Sequence, residues 1–549
     1  MSRTLVPLFA LVLLMVLVTP CLAQAPTPKV TITGLFDQVT AAGRNFYDAN
    51  FTRDNDREWY GRTRFRPDFQ FAVGRTKAVL GIELDLAYGQ QGPNDGGFPG
   101  NNSGSVGGGS GGCKTNTSGC LDINTDVAGL FEIKWIYTEF DLTGKDSLMP
   151  FIPVLTVARL GGQPFASLAS YKTATYANGD FAGVSTITTF SPTVKLSLAY
   201  VIAEDQLAGG NRLAAPARTS RGEDYAFIVS PEITPFKGLD IKPLFSWYHV
   251  DGQTSSSTRG NHANVRTAGG TTNGVAAGGT TTTAGDSTQH EERYTVGLDM
   301  RWRVGPFGLD PTVYYQWGTR DTQAFRTNGS VGKVESDMSA WLVDIIGSYQ
   351  LGPLLLEARG VYTTGNKARD NLSRSIRYYQ PLDADGSFFT GWASIFASGV
   401  DYFNGGFLPM TRWITYDRYG LATLSGRATY SITPAFSVYG IVAPMFTAEK
   451  VDVDTGVTPA STSANAGAGN VPRTVVYDKS FVEGDSRYLG TELNLGITWR
   501  FAPNTAFDLA GSYLFAGGAL DTTEVLNGVP TTRSANDGYQ IAARVRLAF

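Results

Sequence analysis

Along the last eleven residues every second side chain is apolar. Tyr539, Ile541, Ala543, Val545, Leu547 and Phe549 alternate with positions that include Gln540, Arg544 and Arg546. A side-chain period of two is that of a strand with one greasy face and one polar face. The same alternation predicts strands near 29–42, 58–74, 76–89, 129–143, 151–163, 177–190, 192–206, 223–232 and 237–250. It predicts further strands near 291–304, 309–320, 336–350, 353–366, 416–432, 434–448, 485–501, 503–517 and 535–549. That is about eighteen, and an even number is usual for bacterial single-chain barrels.

The connections alternate between short and long. Val73-Gly-Arg75, Phe190-Ser-Pro192, Val304-Gly-Pro306-Phe-Gly308, Gln350-Leu-Gly-Pro353, Ile432-Thr-Pro434 and Phe501-Ala-Pro503-Asn504 are short. Each carries Gly or Pro, which set the backbone angles of tight turns. Long connections lie near 90–128, 251–290, 367–415 and 450–484, most of them rich in Gly, Ser, Thr, Asn and Ala. Short turns on one side and long loops on the other are the signature of an all-β, transmembrane, antiparallel up-and-down β-barrel. A bilayer offers no partner to an exposed backbone group, so a spanning sheet has to close on itself. With about eighteen strands the barrel is wide enough to hold water. A secreted sandwich or β-helix would not require the strict alternation of connection lengths.

Phase then sorts the charges. In 58–74, Phe65, Phe69, Phe71 and Val73 share one face, and Tyr60, Arg62, Arg64, Arg66, Asp68 and Gln70 the other. An Arg facing lipid near the midplane costs about 2–4 kcal/mol, so the arginines are expected to point inward. In 76–89, Glu83 and Asp85 alternate with Leu80, Ile82, Leu84, Leu86 and Tyr88. A tight turn at Gly74 would set these acids opposite or diagonal to Arg64 and Arg66. The expectation is an arginine ladder partly neutralised by two carboxylates. Glu492, Asn494, Thr498, Arg500, Asp299, Arg301, Arg303, Asp344, Glu357, Arg359, Arg427, Lys195 and Ser197 are placed inward in the same way. The inward set is roughly a dozen basic side chains against eight acidic ones, and basic rings favour anions. Equally, such charges can simply solvate and cross-link a barrel wall. Arg301, Arg303, Arg500, Arg544 and Arg546 fall near the periplasmic rim, where lipid headgroups or water are alternative partners. Segment 129–143 breaks phase around Trp135 to Tyr137, as a bulge would. Segments 237–250 and 309–320 have no clear phase.

Trp59, Trp135, Tyr294, Trp302, Tyr349, Tyr430, Trp499 and Tyr513 lie near strand ends and suit interfacial girdles. Loop 367–415 is unusual for holding Tyr378, Tyr379, Phe388, Phe389, Trp392, Phe396, Tyr402, Phe403 and Phe407. A freely solvated loop would not be so aromatic, so it is expected to fold over or into the lumen. A packed extracellular cap is the alternative.

The start of the chain reads as a secretory signal. Arg3 is the positive end, Leu5 to Val18 the apolar stretch, and Cys21-Leu22-Ala23 the cleavage site. This divides the chain into a leader, 1–23, and a barrel, 24–549. Nothing beyond the leader is apolar for long enough to form a transmembrane helix. Losing Arg3 moves the formal charge from -4 to -5, which gives no hint of nucleic-acid binding. In an exported protein Cys113 and Cys120 are expected to pair as a disulfide closing a small loop. No zinc, haem or other cofactor motif is present. His249, His262 and His290 are the only histidines, and no nucleophile–base motif accompanies them, so the chain is not expected to be an enzyme. Asp54-Asn55-Asp56 and Asp452-Val-Asp454 do not match a calcium loop and read as turns.

A terminal Phe closing an alternating strand resembles the C-terminal strand of bacterial outer-membrane barrels. Leu489-Gly490-Thr491-Glu492-Leu493-Asn494-Leu495, then Trp499-Arg500-Phe501-Ala-Pro503-Asn504 and Gly511-Ser-Tyr513, together resemble the C-terminal hairpin of the alginate-export family. Arg159-Leu-Gly161-Gly162-Gln163-Pro164-Phe165 is similar to a Gly-Arg-Gln strand of that family, with Gly162 where the family pattern has Arg. The resemblance implies an eighteen-stranded outer-membrane channel and does not imply alginate as substrate. The expected function is a porin passing small hydrophilic solutes, with a preference for anions. Its only partners would be those solutes and outer-membrane lipids, and it would act as a monomer or a homotrimer. The alternatives are a channel dedicated to an anionic polysaccharide, and a barrel sheath for a periplasmic electron-transfer protein.

Overall fold

The computed structural model describes residues 26–45, 57–88, 131–165, 176–177, 180–202, 225–251, 288–325, 331–367, 370, 375–382, 392–396, 419–451, 453, 484–526 and 529–549. The strands are β1 (Lys29–Arg44), β2 (Arg57–Val73), β3 (Thr76–Tyr88), β4 (Phe131–Thr143), β5 (Leu155–Pro164), β6 (Asp180–Ser191) and β7 (Val194–Ile202). There follow β8 (Tyr225–Phe236), β9 (Leu239–Asp251), β10 (Thr288–Val304), β11 (Phe307–Phe325), β12 (Val331–Leu351), β13 (Leu354–Thr363) and β14 (Ser375–Ile376). The chain ends with β15 (Ala422–Thr433), β16 (Phe436–Val451), β17 (Ser486–Ala502), β18 (Thr505–Ala516), β19 (Thr522–Leu526), β20 (Val529–Arg533) and β21 (Gly538–Ala548).

Nineteen strands join one sheet, of which the two-residue β14 only takes up the edge of β12 beyond the end of β13. The other eighteen are the wall of a closed barrel, one for each expected segment. β19 and β20 form a separate hairpin. Closure comes from β1, which pairs antiparallel with β2 on one side and with β21 on the other. Beyond the last ladder pair, the Gly34 and Phe549 backbones exchange hydrogen bonds of 2.8 and 3.0 Å. A Cβ at position 34 would meet the Phe549 ring at 2.7 Å, so glycine lets the terminal aromatic lie against the seam.

Seven of the eight connections at one end of the barrel are two-residue turns. Gly74, Gly238, Gly305 and Gly352 take positive φ there, as does Asn504 with φ 55. The exception is 144–154, held to the end of β4 by Leu148 N–H to Asp141 O (3.1 Å) and Met149 N–H to Leu142 O (2.9 Å). Both barrel-closing strand ends lie on this side, and the long connections on the other.

Burial follows the expected phase. Leu298, Trp302, Ile345, Leu356, Leu493, Leu495, Trp499, Ile541 and Val545 are exposed on the outer surface. Asp37, Asp299, Asp344, Arg359, Glu492, Asn494 and Arg544 are buried on the inner one. Trp302, Tyr430 and Trp499 ring the turn end, and Trp59 and Tyr513 the loop end, all exposed as a girdle requires. Trp135 leaves the girdle. Gly81 pairs with Trp135 but Ile82 pairs with Ile133, so Lys134 is an extra residue and both Lys134 and Trp135 point inward.

The rim arginines also depart from expectation, because four of the five are paired to acids of the wall. Arg544 makes two bonds of 2.7 and 2.6 Å to the Asp37 carboxylate across the closing seam. Arg301 bonds Asp240 at 2.7 Å, Arg303 bonds Asp310, and Arg546 lies 2.7 Å from Asp508. A planar guanidinium facing a cross-strand carboxylate outcompetes water. Removing one partner of a buried pair leaves an uncompensated charge, at about 3–5 kcal/mol. Asp37→Ala should therefore lower the urea midpoint of the barrel in liposomes strongly, while Asp240→Ala at the exposed rim should cost about 0–1 kcal/mol.

Candidate functional site

Two described stretches of the chain lie inside the lumen. After β13 the connection to β15 turns inward as a strap, of which 375–382 and 392–396 are described. One end is clamped to β11 by a reciprocal amide pair: Gln316 Nε2 donates to Gln380 O at 2.6 Å, and Gln380 N–H to Gln316 Oε1 at 2.9 Å. The Gln380 side-chain oxygen accepts from Arg320 (2.5 Å) and Arg293 (3.3 Å). Both arginines share Glu291, Arg320 at 2.9 Å and Arg293 at 3.4 Å. Arg293 also lies over the Tyr248 ring, 4.7 Å from its centre. Leu382 N–H bonds Tyr176 O at 2.8 Å, and the Tyr176 hydroxyl bonds Ser246 on β9. Burial raises the Tyr176 and Tyr378 hydroxyl pKa values, so both stay neutral, Tyr176 donating to Ser246 and Tyr378 accepting from Arg320 at 3.4 Å.

The other end reaches β17, five strands further round the wall from β11. Glu492 on β17 accepts the Ile395 and Phe396 N–H groups at 2.8 and 3.1 Å and the Ser394 hydroxyl at 3.2 Å. Ser394 also bonds Asn494 at 2.7 Å, and Ser512. Arg427 on β15 sits over the Trp392 ring, 4.4 Å from its centre. Tyr379, Ile395 and Phe396 are buried in one cluster with wall residues such as Tyr314, Leu342, Met445 and Leu514, and Tyr378 in a second with Met338 of β12 and Ile376. The aromatic content of the loop thus builds a core inside the lumen. It also accounts for the unclear phase of β9 and β11, whose inward Leu244, Tyr248 and Tyr314 serve this core.

On the β2–β6 wall most of the described inward charges stay partly exposed, although Glu83 between them is buried. Glu83 bridges Arg64 (3.2 Å) and Arg66 (2.8 Å), as the ladder expectation required. Lys134 lies 3.4 Å from Asp180, and Glu139 takes Arg159 at 2.6 Å and Lys77 at 2.8 Å. Trp135 donates its indole N–H to Asp68 at 2.9 Å. A Cβ on Gly81 would come within 1.9 Å of the indole, so the ring lies flat on the wall and only glycine fits beneath it.

Of the other residues singled out, Asp344 and Arg359 form a buried pair with bonds of 3.0 and 2.8 Å. Glu357 accepts from Arg427 at 2.5 Å, and Asp299 accepts the Thr312 hydroxyl. Arg64 and Asp85 are register partners, but the side chains of Arg62 and Asp85 lie outside the described residues, as do Cys113 and Cys120. Phe388, Phe389, Tyr402, Phe403, Phe407, His262 and the leader lie outside them too. Phase reasoning passed over Glu291, Arg293, Gln316, Arg320, Gln380 and Arg159. Glu291, Arg293 and Arg320 pair directly on β10 and β11, but only the strap brings Gln380 to the two arginines and to Gln316, and Arg159 sits on a short strand without strict alternation.

No protein-family model matches the chain, and no curated protein does. The alginate-export likeness therefore stays a resemblance of short segments. Among solved structures the chain is similar to a BenF-like porin from Pseudomonas fluorescens Pf-5 (9% identity, 95% of this chain and 98% of that one covered, TM-score 0.46). It is similar also to Acinetobacter baumannii OccAB3 (8%, 94% and 99%, 0.43) and Pseudomonas aeruginosa OpdQ (9%, 94% and 98%, 0.42). Likeness at this level transfers no residue role.

A hydrogen bond contributes about 0.5–1.5 kcal/mol net, and Glu492 accepts three at the strap. Glu492→Ala should therefore raise the rate at which externally added protease cuts near 392–396 by about tenfold or more, with the barrel still folded on a heat-modifiability gel.

Proposed function

We propose that the protein is a passive porin of the bacterial outer membrane, admitting small hydrophilic solutes through a lumen narrowed by its own strap. The observation that carries this reading is a wide closed barrel with an apolar outer belt and an internal strap anchored to β11 and β17 of the wall. The girdled belt matches a bilayer, and the leader 1–23 would direct export and be removed. Solutes would pass along the β2–β6 wall, where Arg64, Arg66, Lys77, Lys134 and Arg159 face Asp68, Glu83, Glu139 and Asp180. Among the described side chains, these five cations against four carboxylates make the anion preference slight. The remaining inward pairs, Asp299, Arg301, Asp344, Glu357, Arg359 and Arg427 among them, line and brace the rest of the wall. Transport of this kind needs no cofactor and no energy source.

The other two readings are less well supported. A polysaccharide track calls for a row of free cations, whereas most of these cations meet a carboxylate. A sheath for a redox protein calls for an empty lumen, whereas the strap lies inside it.

Single-channel recording in a salt gradient tests the proposal. Wild-type protein should conduct steadily with a reversal potential displaced slightly towards anions. Glu83→Gln should raise the anion-to-cation permeability ratio severalfold, up to about thirtyfold, since a unit charge about 4 Å from an ion in water contributes about 1 kcal/mol, with opposite sign for anion and cation. Shortening the strap between 383 and 391 should raise the conductance. A wild-type barrel that does not conduct would overturn the reading.

A further inference from the structure

The bulge at Lys134 does more than re-phase β4. It brings a large flat ring into the polar wall and fixes its orientation. The Trp135 indole lies against Gly81, its N–H is held by Asp68, and the Arg66 guanidinium carbon lies over the ring, 5.8 Å from its centre. With one face on the backbone and Arg66 over the ring at that distance, the side chain still keeps part of its surface exposed. Tyr314 covers Gly297 in a similar way, but it is fully buried beneath the strap. There the ring only shields a glycine, a known stabilising device in sheets. Trp135 differs in being accessible and in having half-exposed donors and acceptors around it.

The surroundings narrow the ligand class. Arg66 is paired with Glu83 at 2.8 Å, Lys134 lies 3.4 Å from Asp180, and Arg159 with Glu139 at 2.6 Å. Each of these cations is already met by a carboxylate, so the wall presents alternating donors and acceptors rather than a strong net field. An aromatic face carries negative electrostatic potential and attracts weakly positive C–H groups. A ligand with a flat C–H face and a rim of hydroxyls satisfies both demands. We propose that Trp135, with Asp68, Arg66 and Lys134, is a stacking subsite for a neutral pyranose sugar in the solute path. The ring C–H face lies on the indole, and the hydroxyls exchange hydrogen bonds with Arg66, Lys134 and the free oxygen of Asp68. The inference rests on the porin reading for its role, but binding itself does not depend on conduction.

Saturation-transfer NMR on the full barrel in a zwitterionic, sugar-free detergent tests it with three probes: methyl α-glucopyranoside, sorbitol and gluconate. Sorbitol keeps the hydroxyls without the ring face, and gluconate adds a charge. Transfer should be strongest to the ring protons of the pyranoside. It should fall at least fivefold in Trp135→Leu, be partly kept in Trp135→Phe, and be unchanged in Trp302→Leu on the outer girdle. Equal transfer to sorbitol, displacement of the pyranoside by equimolar gluconate, or no loss in Trp135→Leu would each overturn the subsite. If Trp135→Leu fails to fold, Asp68→Ala takes its place, since removing the acceptor that holds the indole should weaken transfer severalfold and an unchanged signal refutes the assignment. A conducting barrel without transfer would refute the subsite alone, and transfer without conduction the porin reading alone.

Discussion

Every feature of this molecule follows from the need to leave no backbone group unpaired in a medium that cannot hydrogen-bond. β1 meets that need by pairing with β2 and β21 at once, so the sheet has no edge inside the membrane. Closure forces each strand to show one face to lipid and one to the lumen. It therefore sends the charges inward, where they have only one another, the strap and lumen water as partners. The Asp37–Arg544 pair across the seam and the Asp344–Arg359 pair illustrate the result: carboxylate and guanidinium on neighbouring strands, bonded twice.

A closed barrel of this width would have a broad aqueous lumen, and the strap changes that. It imports Tyr378, Tyr379, Ile395 and Phe396 into a space otherwise lined by polar groups, and the walls it touches become apolar in places. Its backbone is satisfied by wall side chains, Gln316 at one end and Glu492 at the other. The interior is thus divided in character. The walls that hold the strap are sealed and cross-linked, and the β2–β6 wall keeps its charges partly in water.

That division gives meaning to residues that would otherwise count only as charges. On the sealed side Arg320 and Arg293 have become scaffold, spent on Glu291 and Gln380. On the wet side Arg66 and Lys134 keep exposed surface beside an aromatic plate, although carboxylates stand close by. The same residue type serves as mortar or as lining according to what covers it.

The period-two pattern was enough, read alone, to reveal eighteen wall strands, their phase, and the split between tight turns and long loops. All of these are local: alternation follows from the pleat, and Gly74 or Pro503 marks a turn through its own backbone. Sequence also indicated that Glu83 would meet Arg64 and Arg66, because a two-residue turn sets the register of its hairpin. The pairing of Arg544 with Asp37 was beyond it, because those residues are 507 positions apart and meet only when the barrel closes. The aromatic loop was legible as something that needed burial, but not its two anchors. The phase break at Trp135 was visible, but whether the ring turned to lipid or lumen depended on Gly81 across the strand pair leaving room for it. Short-range backbone geometry is written in neighbouring residues, whereas partners, coverings and clearances are decided by which distant residues the closed sheet brings within a few ångströms.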